Sequence, residues 1–233
     1  MDLVGYYDDY WRRLGDTCDR KRLDLLLQYI DAGEQVLEVD CGAGVLAKMM
    51  VDKGATVEAT DMSSVAVDLA RRKGIVARQV DLDSGPLPYP DAVFETVVSN
   101  SAIEHRFFYE RNLDECIRVL RPGGKLVLSL PNLAHWRCRL WLLTGRFPYV
   151  RNSPTDVTHL RFFTVSEAKR LCHARGVTPT TVDGSASLWV KGFYPGFFRM
   201  RAVNAIYTWL SRQWPSLFAR DFIMIGRKRE MST

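Results

Sequence analysis

A glycine-rich turn and an acidic strand end near the start of the chain have the residue types and spacing of a nucleotide site. Residues 36–39 are apolar with one acidic interruption, residues 41–44 are glycine-rich, and a helix-like stretch follows, which predicts a strand, a tight turn and a helix. Gly42 and Gly44 would let the backbone approach a ligand beside unpaired helix N–H groups. Asp61, 17 positions beyond Gly44, ends the next predicted strand, where doubly wound sheets bind ribose hydroxyls.

Two histidines are candidates for proton transfer. His105 follows a predicted strand at residues 94–99, and an imidazole titrates close enough to neutrality to take the proton of a hydroxyl group. The alternative is that His105 only positions its loop. His159 has Asp156 three residues before it, and a carboxylate can fix the tautomer of an imidazole. Here the alternative is that Asp156 is a cap and His159 pins the loop.

The turn of residues 38–44, Asp61 and the Leu-Arg-Pro-Gly-Gly turn at residues 120–124 together resemble the class I S-adenosylmethionine-dependent methyltransferases. The resemblance covers nearly the whole chain and is sharpest over residues 36–163. It implies S-adenosylmethionine as the cofactor and Asp81 as acceptor for the adenine amine, with Asp83 as the competitor. The implied donor-binding residues are Glu38, Asp40, Gly42, Gly44, Asp61, Met62, Asp81, Leu82 and Ser99.

Residues 103–105, Ile-Glu-His, resemble a motif of the small-molecule methyltransferases, including the ubiquinone-biosynthesis O-methyltransferases. In some of these relatives the acidic residue and the histidine help to hold a divalent cation. The sequence shows no further ligand cluster here, so no metal is predicted and a metal site stays the alternative. Residues 133–149 and 156–164 resemble methyltransferases of polysaccharide and lipid pathways and, more distantly, the MetW proteins.

Asp40 departs from the resemblance, because the usual residue at this position is glycine. Its side chain must crowd or contact the methionine end of the donor, and aspartate tolerates a positive φ less well than glycine. We therefore expect Asp40 to permit donor binding but to weaken it relative to glycine. The alternative is that its carboxylate is a favourable contact for the donor's amino group.

The fold implied by the resemblance is a doubly wound α/β sheet of seven mostly parallel strands, the Rossmann-like methyltransferase fold, in a single domain of residues 1–233. Its last two strands are predicted at residues 177–182 and 221–228, the latter antiparallel. The predicted parts are an N-terminal flap and helix (1–33), a donor-binding core (34–130) and two acceptor-side insertions, after strand 5 (131–163) and between strands 6 and 7 (185–219). Simple packing of the aromatic residues onto the sheet is the alternative to a flap.

Composition restricts the partners and the compartment. No apolar run is long enough to span a membrane, the N-terminus lacks the features of a signal peptide, and five scattered cysteines indicate a reducing compartment, so a cytoplasmic location is predicted. Residues 131–233 carry 16 Lys+Arg against 5 Asp+Glu, which suggests an anionic acceptor or surface, unless it is simply a solvated basic face.

Residues 189–220 interleave aromatic residues with arginines on a predicted amphipathic helix. A lid over the sheet edge is favoured, a peripheral contact at the inner face of a membrane is the alternative, and single-stranded nucleic acid ranks third because no base-reading motif is present. The sequence therefore predicts methyl transfer, in particular O-methylation, to a small-molecule or glycan- or lipid-linked acceptor. The alternative is a catalytically silent binding or regulatory protein of the MetW-like type.

Overall fold

The computed structural model describes residues 3–188 and 190–230, so Trp189 lies outside the described residues. Its centre is a seven-stranded sheet with the order β3-β2-β1-β4-β5-β7-β6. The strands are β1 (Gln35–Val39), β2 (Thr56–Asp61), β3 (Val76–Gln79), β4 (Phe94–Asn100), β5 (Leu120–Pro131), β6 (Val177–Ser185) and β7 (Asp221–Lys228). Only β7 runs antiparallel to its neighbours, so the predicted fold class and the direction of the last strand are confirmed.

Nine α-helices of the described residues surround the sheet. They are α1 (Leu3–Leu14), α2 (Arg20–Leu27), α3 (Val45–Asp52), α4 (Ser64–Arg72), α5 (Tyr109–Val119), α6 (Trp136–Leu143), α7 (Val165–Ala174), α8 (Arg201–Gln213) and α9 (Pro215–Phe218). One face of the sheet packs on α5 and α7, and the other packs on α2, α3 and α4. The sheet is thus buried on both faces, which explains the nearly continuous apolar runs of its central strands.

The segment between β6 and β7 forms a third apolar cluster. Phe193, Tyr194 and Tyr207 pack with Cys138 of α6 in a small core of their own. On α8, Tyr207 is buried, whereas Ile206 is 62% exposed and Trp209 is 54% exposed. The predicted amphipathic helix therefore has a buried side at Tyr207, but its exposed side also carries apolar residues.

The order of the strands indicates at which edge of the sheet a ligand would bind, and we call it the ligand edge. The neighbouring parallel strands β1 and β4 are followed by helices on opposite faces of the sheet. Ligands of open α/β sheets bind beyond the carboxyl ends of two such strands. The turn of residues 40–44, Asp61 and residues 100–106 all follow strand ends at this edge.

Gly44 is required by close packing as well as by backbone conformation. Its φ is +71°, and a Cβ at this position would lie 2.6 Å from Cβ and 2.8 Å from Cα of Ala70 on α4. We expect Gly44→Ala to lower the free energy of unfolding by about 2–4 kcal/mol, since left-handed strain and overpacking add. Urea unfolding followed by circular dichroism measures this change.

Gly74 provides the matched control for that variant. Its φ is +80°, but a Cβ there would meet nothing within 4 Å, so Gly74→Ala has the strain without the contact. The difference between the two variants isolates the close approach of α3 and α4. Equal losses in the two variants would contradict the packing argument.

Candidate active site

A cavity of about 870 Å³ lies beyond the carboxyl ends of β1, β2 and β4. Its walls come from α1, from the glycine turn, from residues 100–106 and from the loop of residues 149–159. It has the size of a small-molecule site. The residues predicted from the sequence that line it are Glu38, Asp40, Gly42, Asp61, Met62, His105 and His159.

Asp61 connects the end of β2 to two backbone segments. Its Oδ2 accepts a hydrogen bond from the N–H of Gly42 at 2.8 Å, and its Oδ1 accepts one from the N–H of Ser63 at 2.9 Å. Burial, and then the charge of Asp40, raise the pKa of this carboxyl group above its usual range. Each oxygen retains a second acceptor position, so the geometry allows Asp61 to accept from two neighbouring hydroxyl groups as well.

Arg106 is the site residue that sequence reasoning missed. It is only 4% exposed, and its guanidinium group is paired with both carboxylate oxygens of Asp40, one of them at 3.2 Å from Nε. Its Nη1 lies 3.3 Å from Oδ1 of Asp81 and 3.9 Å from Sδ of Met62. An acidic residue that replaces glycine at a partly buried position is stabilised by a nearby cation, and Asp40 was therefore the available signal.

Asp40 has a φ of +56°, as expected for a residue at a position that favours glycine. The sequence predicts contacts of its carboxylate with the donor only. The structure shows instead that this carboxylate is already engaged by a guanidinium group of the same chain.

Four predicted donor residues do not line the cavity. The side chain of Leu82 is part of the apolar core, and Gly44 serves the packing of α3 against α4. Ser99 is buried, with no hydrogen-bond partner for its hydroxyl group, and Asp81 contacts Arg106 from outside the lining. Asp83, the competitor of Asp81, does line the cavity.

The N-terminal helix α1 closes one side of the cavity. A Cβ on Gly42 would lie 2.3 Å from Cη2 of Trp11, so the indole packs directly on the glycine turn. Asp8 anchors α1 to the start of α4, because its carboxylate accepts from the hydroxyl groups of Ser63 at 2.5 Å and Ser64 at 3.1 Å. The helix α1 thus packs on the structure at the ligand edge, against the glycine turn and the start of α4.

We expect Asp8→Ala to loosen α1 without unfolding the sheet. The loss of a side chain that caps a helix N-terminus typically costs about 1 kcal/mol, which corresponds to a roughly five-fold higher population of the open helix. Limited proteolysis at Arg12 and Arg13 would measure this as faster cleavage. Asp9→Ala is the matched control because Asp9 contacts only Arg12 of its own helix among the interactions that are described.

The two predicted histidines lie side by side. Their ring centroids are 4.9 Å apart, and each directs Nδ1 at a backbone carbonyl, His105 at Thr158 (3.0 Å) and His159 at Pro154 (3.2 Å). A carbonyl can only accept, so both imidazoles carry their proton on Nδ1 and leave the Nε2 lone pair free. Burial, and then the neighbouring His159, lower the pKa of His105 to about 4, and burial also lowers the pKa of His159.

Glu104 joins these histidines in a cluster that the sequence did not reveal. Ligand atoms of Glu104, His105 and His159 all lie within 4.8 Å of one another. Both carboxyl oxygens of Glu104 are buried, with no hydrogen-bond partner among the described residues, and burial raises the pKa of Glu104 to about 8. A carboxyl group with two imidazoles can hold a proton or a divalent cation. His159 could not be added from spacing, because 54 positions separate it from His105.

Asp156 does not contact His159 as a tautomer-fixing partner. Its Oδ1 accepts from the N–H of Thr158 at 3.0 Å and its Oδ2 accepts from the N–H of Asn152, so the carboxylate organises the loop. Asp156 therefore caps the loop, and the tautomer of His159 is fixed by the carbonyl group of Pro154 instead. His135 is likewise structural, since its Nε2 lies 2.9 Å from the hydroxyl oxygen of Tyr207 inside the third cluster.

The two predicted acceptor-side insertions differ in position. Residues 149–159 of the first insertion line the cavity, but within the described range no residue of 185–219 does. The second insertion packs against α6 and β6 instead. None of the helices that the structure describes is long and apolar enough to cross a membrane.

Comparisons with known protein sequences identify the family of this chain. Residues 20–203 match the family described as methionine biosynthesis protein MetW. A protein of Mycolicibacterium smegmatis named probable S-adenosylmethionine-dependent methyltransferase is 30% identical over 172 residues, which are 72% of this chain and 60% of that protein. A ubiquinone biosynthesis O-methyltransferase of Azoarcus sp. is 29% identical over 172 residues, which are 69% of this chain and 73% of that protein.

A solved structure shows the same fold. One chain of the complex between the Haloferax volcanii Trm112 methyltransferase activator and a protein assigned as a methyltransferase matches with a TM-score of 0.70, 17% identity and 100% of both chains covered. The match to the mycobacterial relative spans less than two thirds of that protein. Together these comparisons confirm the resemblance to class I S-adenosylmethionine-dependent methyltransferases on which the sequence analysis relied.

Proposed function

This chain belongs to the MetW family and has the class I S-adenosylmethionine-dependent methyltransferase fold, and we propose that it transfers a methyl group from S-adenosylmethionine to an oxygen atom of a small-molecule acceptor. The observation that carries the proposal is that the glycine turn, Asp61 and the two histidines open onto one cavity. Oxygen is the proposed acceptor atom because ubiquinone biosynthesis O-methyltransferases are among the relatives.

The polar groups of the cavity fit the donor. Glu38 Oε2 and Asn100 Oδ1 belong to residues that line the cavity, and both atoms are buried without hydrogen-bond partners in the part of the chain that the structure describes. A polar ligand could satisfy them. Asp61 would hold the ribose hydroxyls, and Asp83 or Asp81 would accept from the adenine amine. When bound, S-adenosylmethionine supplies the electrophilic methyl group.

Other residues of the lining suit a hydroxylated ring. Tyr6, Tyr10 and Tyr149 line the cavity and offer aromatic faces on which a phenol or a sugar could stack, and Arg151 lines it as well. That arginine suits an acceptor with an anionic group, which fits a phosphorylated or glycan-linked molecule. The Nε2 atom of His105 or His159 is placed to accept the hydroxyl proton as the acceptor oxygen is methylated.

The test begins with binding and proceeds to transfer. Calorimetric titration with S-adenosylmethionine measures donor binding. Incubation with methyl-labelled donor and a panel of phenols, catechols, sugars and sugar phosphates follows, with mass spectrometry for a product one methylene heavier. Label in an acceptor hydroxyl supports the proposal. A folded protein that does not bind the donor would overturn it.

The silent alternative is favoured by one observation. Arg106 already engages Asp40 and Asp81, two residues that the donor was expected to contact, which would suit a protein that keeps the fold without turnover. The same experiment separates the two functions. Donor binding without transfer to any acceptor of the panel would favour a regulatory role beside a partner enzyme.

A further inference from the structure

We propose that Arg106 is an internal cation that competes with the donor for Asp40, Asp81 and Asp83, and that these acidic residues make the site prefer S-adenosylmethionine to S-adenosylhomocysteine. The inference rests on the proposed donor site. Arg106 contacts Asp40, Asp81 and Met62, all three of which were assigned to the donor by the resemblance. A donor that took these contacts would have to displace the guanidinium group from them.

The charges around Arg106 determine which ligand can replace it. Asp40 and Asp81 are ion-paired with the guanidinium group, and Asp83 Oδ2 lies 4.0 Å from Nη1. Among the interactions described, Arg106 has the only guanidinium group within pairing distance of these carboxylates. Its withdrawal leaves three partly buried acidic groups unpaired, which is unfavourable. A ligand with a positive charge compensates for this loss, whereas an uncharged ligand does not.

The donor and the product differ in this charge. S-adenosylmethionine carries a sulfonium cation in addition to its amino-acid group, and S-adenosylhomocysteine carries a neutral thioether in its place. The donor can therefore replace Arg106 electrostatically, and the product cannot. Methyl transfer removes the charge that kept Arg106 out, so the return of Arg106 to Asp40 would promote product release.

The competition also accounts for the unusual residue at position 40. Glycine at this position would give Arg106 no partner on the glycine turn, because both oxygens that pair with Nε and Nη2 belong to Asp40. Asp40 would thus have two opposing effects. It attracts a cationic donor, and it also holds the cation that competes with that donor.

Isothermal titration with sinefungin, a donor analogue that carries an amine cation in place of the sulfonium group, and with S-adenosylhomocysteine tests the proposal. We expect the wild-type protein to bind sinefungin at least about 10-fold more tightly than S-adenosylhomocysteine. The Arg106→Gln variant should bind both ligands about 10-fold or more tightly than the wild-type protein does. The factor should be the same for the two ligands, because the variant removes a competitor common to both. Asp40→Asn should reduce the preference for sinefungin, because it removes part of the negative charge.

Arg111→Gln is the matched control, since Arg111 is exposed on α5 and should change neither affinity. Arg106→Lys keeps the charge but loses the bidentate pairing with Asp40. It should therefore increase the affinity for both ligands less than Arg106→Gln does. It also replaces the glutamine variant in the test if that variant fails to fold. Circular dichroism establishes folding.

Each outcome bears on a defined claim. If the wild-type protein binds the ligands and Arg106→Gln binds them equally or more weakly, the competition is overturned and the proposed function stands. If no folded variant binds either ligand, both proposals fail. If only the Arg106 variants bind, the competition is supported in its strongest form, and the wild-type chain favours the silent alternative.

Discussion

An Asp61→Ala variant is expected to bind S-adenosylhomocysteine about 100-fold or more weakly than the wild-type protein. A hydrogen bond to a charged group contributes about 1.5–3 kcal/mol, and the variant removes two potential bonds to ribose hydroxyls. It also removes the acceptors for Gly42 N–H and Ser63 N–H, which position the glycine turn. Calorimetric titration measures the loss of affinity directly.

The control for this variant is to show that it remains folded. Burial disfavours the charged form of Asp61, so its charge does not stabilise the folded protein at neutral pH, and Asp61→Ala should remain folded although two backbone donors lose their partner. Thermal unfolding would establish this. Asp68→Ala is a suitable companion, because Asp68 is exposed on α4 and lies away from the cavity lining. A folded Asp61→Ala protein with unchanged affinity would show that the ribose site has been misassigned.

The sheet could be predicted from the sequence because its signals are local. β7 was predicted at the residues where it occurs, and β4 differs by a single residue, since buried strands read as apolar runs between turn residues. The insertion of residues 185–219 could not be placed in the same way. Its aromatic residues indicate burial, but they do not say against which surface, and they pack on α6 rather than over the cavity.

The glycine turn and the histidines were found in the sequence, but their partners were not. Arg106 and Asp40 are 66 positions apart, and nothing in their spacing indicates a pair. The cluster of Glu104, His105 and His159 could not be predicted for the same reason. It forms only because the loop of residues 149–159 folds back to the end of β4. Sequence spacing identifies groups within one turn or strand, whereas a site formed between loops depends on the tertiary fold.

The environment of His105 changes the pH dependence that is expected for the reaction. From the unperturbed imidazole, a rate that depends on a group titrating near neutrality was expected. Burial, together with the neighbouring His159, lowers the pKa of His105 to about 4, so the imidazole is neutral over the whole physiological range. Because Nδ1 is directed at Thr158 O, the Nε2 lone pair is available throughout that range.

His105→Ala is therefore expected to lower the rate of methyl transfer about 10²–10⁴-fold and to leave donor affinity unchanged. For the wild-type protein, the group is active when deprotonated, so the rate should be level from neutral pH downward and fall only as the pH approaches about 4. Once an acceptor is known, single-turnover rates between pH 4 and pH 9 measure both effects. Circular dichroism over the same range shows where the protein remains folded.

His159→Ala and His173→Ala separate a direct role of His105 from a general loss of histidine. His159 shares the free Nε2 and the cluster with Glu104, whereas His173 is exposed on α7, so only the first variant should slow the reaction. A chelator distinguishes a base from a cation ligand, because removal of a metal would slow the wild-type protein but would not affect a base that acts alone. If both His105→Ala and His159→Ala keep full turnover, the reaction depends on holding donor and acceptor in line, and neither imidazole takes part in it.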